Sequence, residues 1–172
     1  MNTISKKEEN LIELKYGSLS LKVKKSETFV YYATFIAGEY NKIRLRTDDI
    51  VIDAGANIGD YTVKAANTVK EVMVIAIEPN PDNIEIIKQN LYINKLKNVK
   101  VLNFALSNVT GFANLVGDSV GASIMQDNEN SLMVQTITIE DLLRTYCPPG
   151  RDVVLKMDIE GAEELVFSNP IF

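Results

Sequence analysis

Residues 50–59, Ile50-Val-Ile-Asp-Ala-Gly-Ala-Asn-Ile-Gly59, decide the fold. Ile50 to Ile52 is a continuous apolar run that stops at Asp53, and a loop with two glycines follows. Beyond it Tyr61 to Lys70 has helical spacing, with Tyr61, Ala65 and Val69 on one side. Strand, glycine loop and helix in this order form the first half of a βαβ unit. The next segments repeat the pattern. Val72 to Ile77 reads as a second buried strand ending at Glu78, and Asn80-Pro81 supplies an N-cap and a first-turn proline. The helix beyond carries Ile84, Ile87 and Leu91 on one face and reaches Asn94. Val99 to Leu102 is a third strand. Such alternation predicts an α/β fold: a Rossmann-like, doubly wound parallel sheet with right-handed crossovers.

The flanks differ in texture. Upstream, Leu14 to Val23 alternates around Gly17 as a β-hairpin does, and Thr28 to Ile36 is an apolar stretch of helical length ended by Gly38. The aromatics of that stretch read as core packing or a lid. Downstream, Gly111 to Leu115 and Val134 to Thr138 alternate like strands with one exposed face. Between them, Gly117 to Ser131 is rich in Gly, Ser, Asn and Asp and reads as a loop. Thr138, three residues before Asp141, caps a short helix to about Tyr146; Pro148-Pro149-Gly150 then breaks the chain. Val153 to Met157 is the fourth core strand, ending at Asp158, and a helix begins near Gly161. The expected core order is 3-2-1-4. Residues 1–48 form a hairpin-and-helix extension of the same domain, and 49–172 form the binding domain.

Composition bounds the chemistry. At 172 residues, 46% hydrophobic and 24% charged, the chain suits one ordinary globular domain. Its net charge of −5 argues against a nucleic-acid partner. With no histidine and a single cysteine, Cys147, there is no His-based triad, no His-ligated metal and no intrachain disulfide. Cys147 itself reads as an inert thiol. Met1 to Asn10 is polar and does not resemble a signal peptide, and no apolar run approaches the ~20 residues of a membrane span. A cytoplasmic chain without a membrane span is the expectation.

In an open parallel sheet, ligands bind outside the carboxyl ends of the strands at the point where strand order reverses. Asp53, Glu78 and Asp158-Ile-Glu160 all stand at such ends, with Asn103-Phe-Ala105 after the third strand. The first loop, Asp-x-Gly-x-x-x-Gly, is not the Gly-x-Gly-x-x-Gly of dinucleotide sites, and no Walker lysine motif is present. Gly55 and Gly59 permit a tight turn and close approach of the backbone, and the helix start beyond offers N–H groups to an anion. Glu78 lies about twenty residues past Gly55, where a carboxylate reaches paired ribose hydroxyls. Together these features favour S-adenosylmethionine, whose amino-acid tail and ribose need both sites. A divalent cation held by paired carboxylates is the less favoured use of the same groups, and no metal site is assigned.

Val51 to Gly59, Ala76-Ile-Glu-Pro-Asn80 and Leu155-Lys-Met-Asp-Ile-Glu-Gly-Ala-Glu163 resemble the signature blocks of the FkbM family. These are class I, S-adenosylmethionine-dependent methyltransferases, mostly O-methyltransferases. Gly38-Glu-Tyr40, Ala105 to Asn108, Gly121-Ala-Ser123 and Thr136 to Asp141 are similar to the intervening pattern. The resemblance implies that Asp53 and the loop Gly55, Ala56, Asn57 and Gly59 hold the methionine end of the cofactor. It implies further that Glu78, followed by Pro79, accepts the ribose hydroxyls and that Asn103 to Ala105 border the adenine. Asp158 and Glu160 would face the methyl group and the acceptor, with Asp158 the first choice of base for a hydroxyl and Glu160 the second. Lys156 shares a face with Asp158 only if the strand continues regularly. Ser123 reads as either a ligand contact or a plain loop serine, Glu163 as a solvated helix residue and Asn80 as a helix cap.

The implied acceptor is a small molecule, saccharide or lipid-linked group. The family pattern continues with a fifth strand and an antiparallel pair, whereas this sequence stops at Phe172. The fourth strand is then expected at an open edge, inviting a homodimer or sheet extension. Two other readings stay open: an NAD-dependent oxidoreductase, and an adenosine-ligand-binding or oligomerising module without turnover.

Overall fold

The computed structural model describes residues 10–68, 71–115, 132–159 and 161–168. It opens with an antiparallel hairpin, β1 (Leu11–Tyr16) and β2 (Leu19–Lys24), turned at Gly17, whose φ is 57°. α1 (Thr28–Tyr31) runs without a break into a π-helix, Tyr32–Ala37, and ends at left-handed Gly38. The expected stretch is helical throughout, but its second half has the wider π winding. There Gly38 and Glu39 both donate to the Ala33 carbonyl, and the Thr34 carbonyl accepts from Lys64 Nζ at 2.6 Å.

Four parallel strands form the central sheet: β3 (Ile50–Ala54), β4 (Met73–Ile77), β5 (Val99–Leu102) and β9 (Val153–Met157), ordered β5-β4-β3-β9. This is the expected 3-2-1-4 arrangement. α2 (Asp60–Thr68) and α3 (Pro81–Ile93) are the crossovers. Asn80 caps α3 by accepting from the Asp82 N–H at 2.9 Å, with Pro81 at the first turn. A second, three-stranded sheet holds β6 (Ala105–Leu106), β7 (Gly111–Leu115) and β8 (Leu132–Ile137), with β8 central. β7 and β8 are the two alternating segments; β6, two residues long, carries no period that a sequence reading could detect. Thr138 caps α4 (Ile139–Tyr146) through the Asp141 N–H at 3.1 Å. α5 (Glu163–Phe167) starts two residues after Gly161, whose φ of 92° is incompatible with a helix.

Both faces of the sheet are covered at its centre, which is why β3 and β4 are buried and almost wholly apolar. Ile50, Ile52, Ala54, Ile75 and Ile77 pack against Leu106, Ile137, Leu142 and Val166. Val51 and Val74 point the other way, onto Tyr61, Ala65 and Ala66 of α2. The hairpin's Leu19, Leu21 and Val23 join Ile58, Ile87 and Leu91 in a third cluster. That hairpin is docked by asparagines of α3 and its C-cap. Asn90 accepts from the Lys22 N–H at 2.6 Å and donates to the Lys22 carbonyl at 3.1 Å, and Asn94 treats Ser20 alike at 3.0 and 2.6 Å. Alternate residues of β2 are thus paired by side-chain amides, as a neighbouring strand would pair them. No helix among the described residues is long and apolar enough to cross a membrane.

Candidate active site

The carboxyl ends of β3, β4 and β9 open into a cavity of about 440 Å³, within the range of small-molecule clefts. α1 and the π-helix form its opposite wall. Of the residues singled out in the sequence, Gly55, Asn57, Glu78, Pro79, Ala105 and Asp158 line it. Phe104, Ile77 and Leu106 give it an apolar side.

Glu78 is 5% exposed and held by three donors. Its Oε2 accepts from the Asn57 N–H at 2.7 Å; its Oε1 accepts from the Asn80 N–H at 2.9 Å and from Asn83 Nδ2 at 3.3 Å. Burial raises its pKa, and the three donors oppose that rise. Asn57 reaches it because the loop bends there to a positive φ of 49°, which asparagine tolerates better than most side chains. Asn103 donates to the Glu78 carbonyl at 2.9 Å and the Pro79 carbonyl at 2.8 Å. It fixes the loop after β4 and does not itself line the cavity.

Asp53 is fully buried. Its Oδ2 accepts from the Thr62 hydroxyl at 2.6 Å, and its Oδ1 lies 3.1 Å from Lys156 Nζ. Lys156, 8% exposed, also donates to the Gly55 carbonyl at 3.0 Å. Burial alone would lower the lysine's pKa, but the Asp53 charge beside it more than offsets this and holds it above the usual value. The pair braces the first loop from beneath. Ala56, 1% exposed, packs in the core, and Gly59 faces Ile87, which a Cβ would approach to 3.1 Å. At Gly55, with φ 73°, a Cβ would stand 1.8 Å from the Asp158 carbonyl oxygen. The close approaches that exclude side chains from these two glycines are therefore to the chain itself.

Asp158 is exposed at the cavity, and its N–H donates to the Ala54 carbonyl at 3.1 Å. Glu160 and Ser123 lie outside the described residues. Glu163, read as solvated, accepts from the Ile159 N–H at 3.0 Å and so ties down the loop that carries Asp158; that bond keeps its pKa low.

Several cavity residues have no role in the sequence reading. Asp60, the first residue of α2, is 9% exposed and accepts from the Thr34 hydroxyl of the π-helix. Burial pushes its pKa up to about 6. An acid directly after a loop glycine reads as an ordinary helix-start charge, which conceals it. Tyr40, packed 4.8 Å from the Tyr61 ring, has its pKa pushed up to about 12 by burial. Among the described residues no three His, Cys, Asp or Glu side chains converge as a metal cage.

Residues 53–170 match the family model of the methyltransferase FkbM domain. The chain is 27% identical over 172 aligned residues to "Methyltransferase sdnD" of Sordaria araneosa, covering 78% of this chain and 65% of that protein. Over 70 residues it is 33% identical to the tRNA (guanine(37)-N(1))-methyltransferase Trm5b of Methanocaldococcus jannaschii, covering 40% of this chain and 20% of the relative. Among solved structures, M. jannaschii TYW2 in complex with AdoMet matches with a TM-score of 0.47 and 24% identity, over 54% of this chain and 42% of that one. The match thus spans less than two thirds of each relative's length.

Proposed function

The chain belongs to the methyltransferase FkbM domain family, and we propose that its cavity binds S-adenosylmethionine and delivers the methyl group to an acceptor hydroxyl. The observation that carries this reading is Glu78. It is a buried carboxylate at the end of β4, set by three donors and facing a cavity with an apolar side. A carboxylate offers about four lone-pair sites, so one direction is left for a ligand hydroxyl. Phe104, Ile77 and Leu106 suit a purine, and the strand-end loop of Gly55 and Asn57 suits the amino-acid end. The donor set and the cavity size therefore fit this cofactor.

Bound there, the cofactor would supply a methyl group already activated on a sulfonium centre. The protein's task is then to bind the acceptor in line, exclude water and take up a proton. Asp158, exposed at the cavity and braced through Glu163, is the group to accept that proton from the acceptor. Glu160, two positions further in sequence, is the second candidate. The net charge of −5 and the acidic lining disfavour a polyanionic acceptor, leaving a small molecule, saccharide or lipid-linked hydroxyl. We also propose that the edge of β9 that no strand pairs among the described residues pairs with a second copy of the chain.

Calorimetric titration with S-adenosylmethionine, S-adenosylhomocysteine and NAD tests the cofactor reading. The two sulfur ligands are expected to bind, and Glu78→Ala to weaken them by roughly tenfold or more. Asp158→Ala is expected to spare binding and lower turnover. Binding of NAD alone, or an unchanged affinity in Glu78→Ala, overturns the assignment.

A further inference from the structure

The charge of the cavity is one-sided. Glu27, Glu39, Asp60, Glu78 and Asp158 line it, against Lys156 as the basic lining residue among those described. That ammonium is engaged by Asp53 at 3.1 Å and by the Gly55 carbonyl at 3.0 Å. Glu27 has Lys24 at 3.0 Å, and Glu78 has its three donors.

Asp60 differs from the others. It is 9% exposed, yet its side-chain partner among the described residues is the neutral Thr34 hydroxyl, bonded to Oδ2. Lys64, one helical turn on, is drawn away to the Thr34 carbonyl at 2.6 Å and the Asn41 amide oxygen at 2.7 Å. Among the described residues no lysine or arginine stands within 4.0 Å of the Asp60 carboxylate. A buried carboxylate with no cation in direct contact is costly, and it is relieved by taking up a proton or by gaining a charged partner, which a ligand entering the cavity can supply. Burial pushes its pKa up to about 6 and the Asp53 charge adds to the rise, while the Thr34 hydrogen bond and the more distant Lys156 charge oppose it without cancelling it. Tyr40, close enough to sense the Asp60 charge, adds an aromatic wall of the kind that attracts cations; the Lys156 ammonium already stands 5.7 Å from its ring centroid.

We propose that Asp60, with Thr34 and Tyr40, forms a subsite for a primary alkylammonium group. The inference rests on the methyltransferase reading only for the source of that group. It is either the α-ammonium of the cofactor or an amine carried by the acceptor. Asp53, to which the family resemblance assigns the methionine end, is sealed beneath the loop and already paired with Lys156, so Asp60 takes over the role of cation partner.

The test compares the intact protein with Asp60→Asn, which keeps the acceptor for Thr34 and removes the charge. S-adenosylhomocysteine and 5′-methylthioadenosine, which lacks the amino-acid tail, are titrated into both. Phenethylamine and 3-phenylpropionate are then titrated into protein loaded with S-adenosylhomocysteine. A roughly tenfold loss for S-adenosylhomocysteine, with methylthioadenosine unchanged, supports the subsite and assigns the ammonium to the cofactor. An unchanged S-adenosylhomocysteine affinity with a roughly tenfold loss for phenethylamine supports it and assigns the ammonium to the acceptor. If Asp60→Asn does not fold, the wild-type protein decides alone. The proposal is overturned there if phenethylamine binds no better than phenylpropionate and a deaminated, hydroxyl-bearing analogue binds as tightly as S-adenosylhomocysteine. Unchanged affinities of the variant for both amine-bearing ligands overturn it equally. Should the cofactor reading itself fail, neither adenosine ligand binds, and the phenethylamine comparison on the ligand-free protein still decides the subsite.

Discussion

Lys156 and Asp53 form the ion pair that shapes the loop, and its worth lies in mutual dependence. Desolvating both groups costs much of what their attraction returns, but removing one leaves the other charged and buried. Lys156→Met is therefore expected to destabilise the protein by about 3–5 kcal/mol. Adding Asp53→Asn should recover most of that loss, because the amide oxygen that replaces the carboxylate can still accept from Thr62. Urea midpoints of the single and double variants measure this, and additive losses would count against the pairing. Asp60 behaves oppositely. Its pKa rises from 3.8 to about 6 on folding, so between those values the unfolded chain releases a proton that the folded chain retains. Stability from this group is complete below about pH 4 and is lost as pH rises through about 6, a penalty of up to about 3 kcal/mol. Asp60→Asn should then be more stable than wild type at pH 7.5 and no more stable near pH 4. Equal urea midpoints at both pH values would remove the buried charge as the cause. A residue that weakens the fold where a ligand is to bind is a common trade at functional sites.

At the level of elements, α3 has two jobs. Its N-terminus carries Asn83, which donates to Glu78 Oε1 at 3.3 Å and accepts from Lys24 Nζ at 2.8 Å, so the hairpin helps fix the amide that orients the Glu78 carboxylate. Its last turn and C-cap carry Asn90 and Asn94, which cover the edge of β2. Asn90 also donates to the Ile58 carbonyl of the first loop at 2.9 Å. Replacing it with alanine strands the Lys22 N–H and two carbonyls, a cost of about 2–3 kcal/mol if they stay dry. Asn90→Ala is therefore expected to lower the urea midpoint and to raise hydrogen exchange at Ser20 and Lys22 ahead of β3 and β4. Uniform exchange across the chain would mean that the hairpin is not docked by this ladder. None of this is legible in sequence, where asparagines on a helix read as solvated polar positions. The strands are legible because each core run is apolar, and three of the four are closed by Asp53, Glu78 or Asp158, a pattern fixed by burial on both faces. The π winding is not, since Thr28 to Ile36 has no residue that distinguishes it from an α-helix. In the site, positions at strand ends can be read; Asp60 and Lys156 cannot, because their roles depend on partners distant in sequence.

Over the whole molecule the sheet is asymmetric. On the β5 side, Lys100 stacks over the Tyr146 ring at 4.5 Å, so α4 approaches that strand. On the other side, β9 pairs with β3 along one edge, and no strand pairs with its second edge among the described residues. Val153 is 40% exposed and Leu155 37%, while β3 next to it is buried throughout. An apolar strand with unpaired N–H and C=O groups is a template for another strand, and natural edges are usually blunted with charge. Here the charged residue of β9, Lys156, turns inward to Asp53 and leaves the outward positions apolar. The ion pair that braces the loop thus removes the one charge of the strand that could have protected the edge. This chain is expected to self-associate through β9, with sedimentation velocity showing a species of twice the monomer mass at tens of micromolar. Leu155→Lys places a charge on the exposed positions of the strand and should shift the boundary to monomer. A wild-type boundary that stays monomeric at high micromolar concentration, with β9 amides exchanging as fast in concentrated as in dilute protein, would refute the pairing.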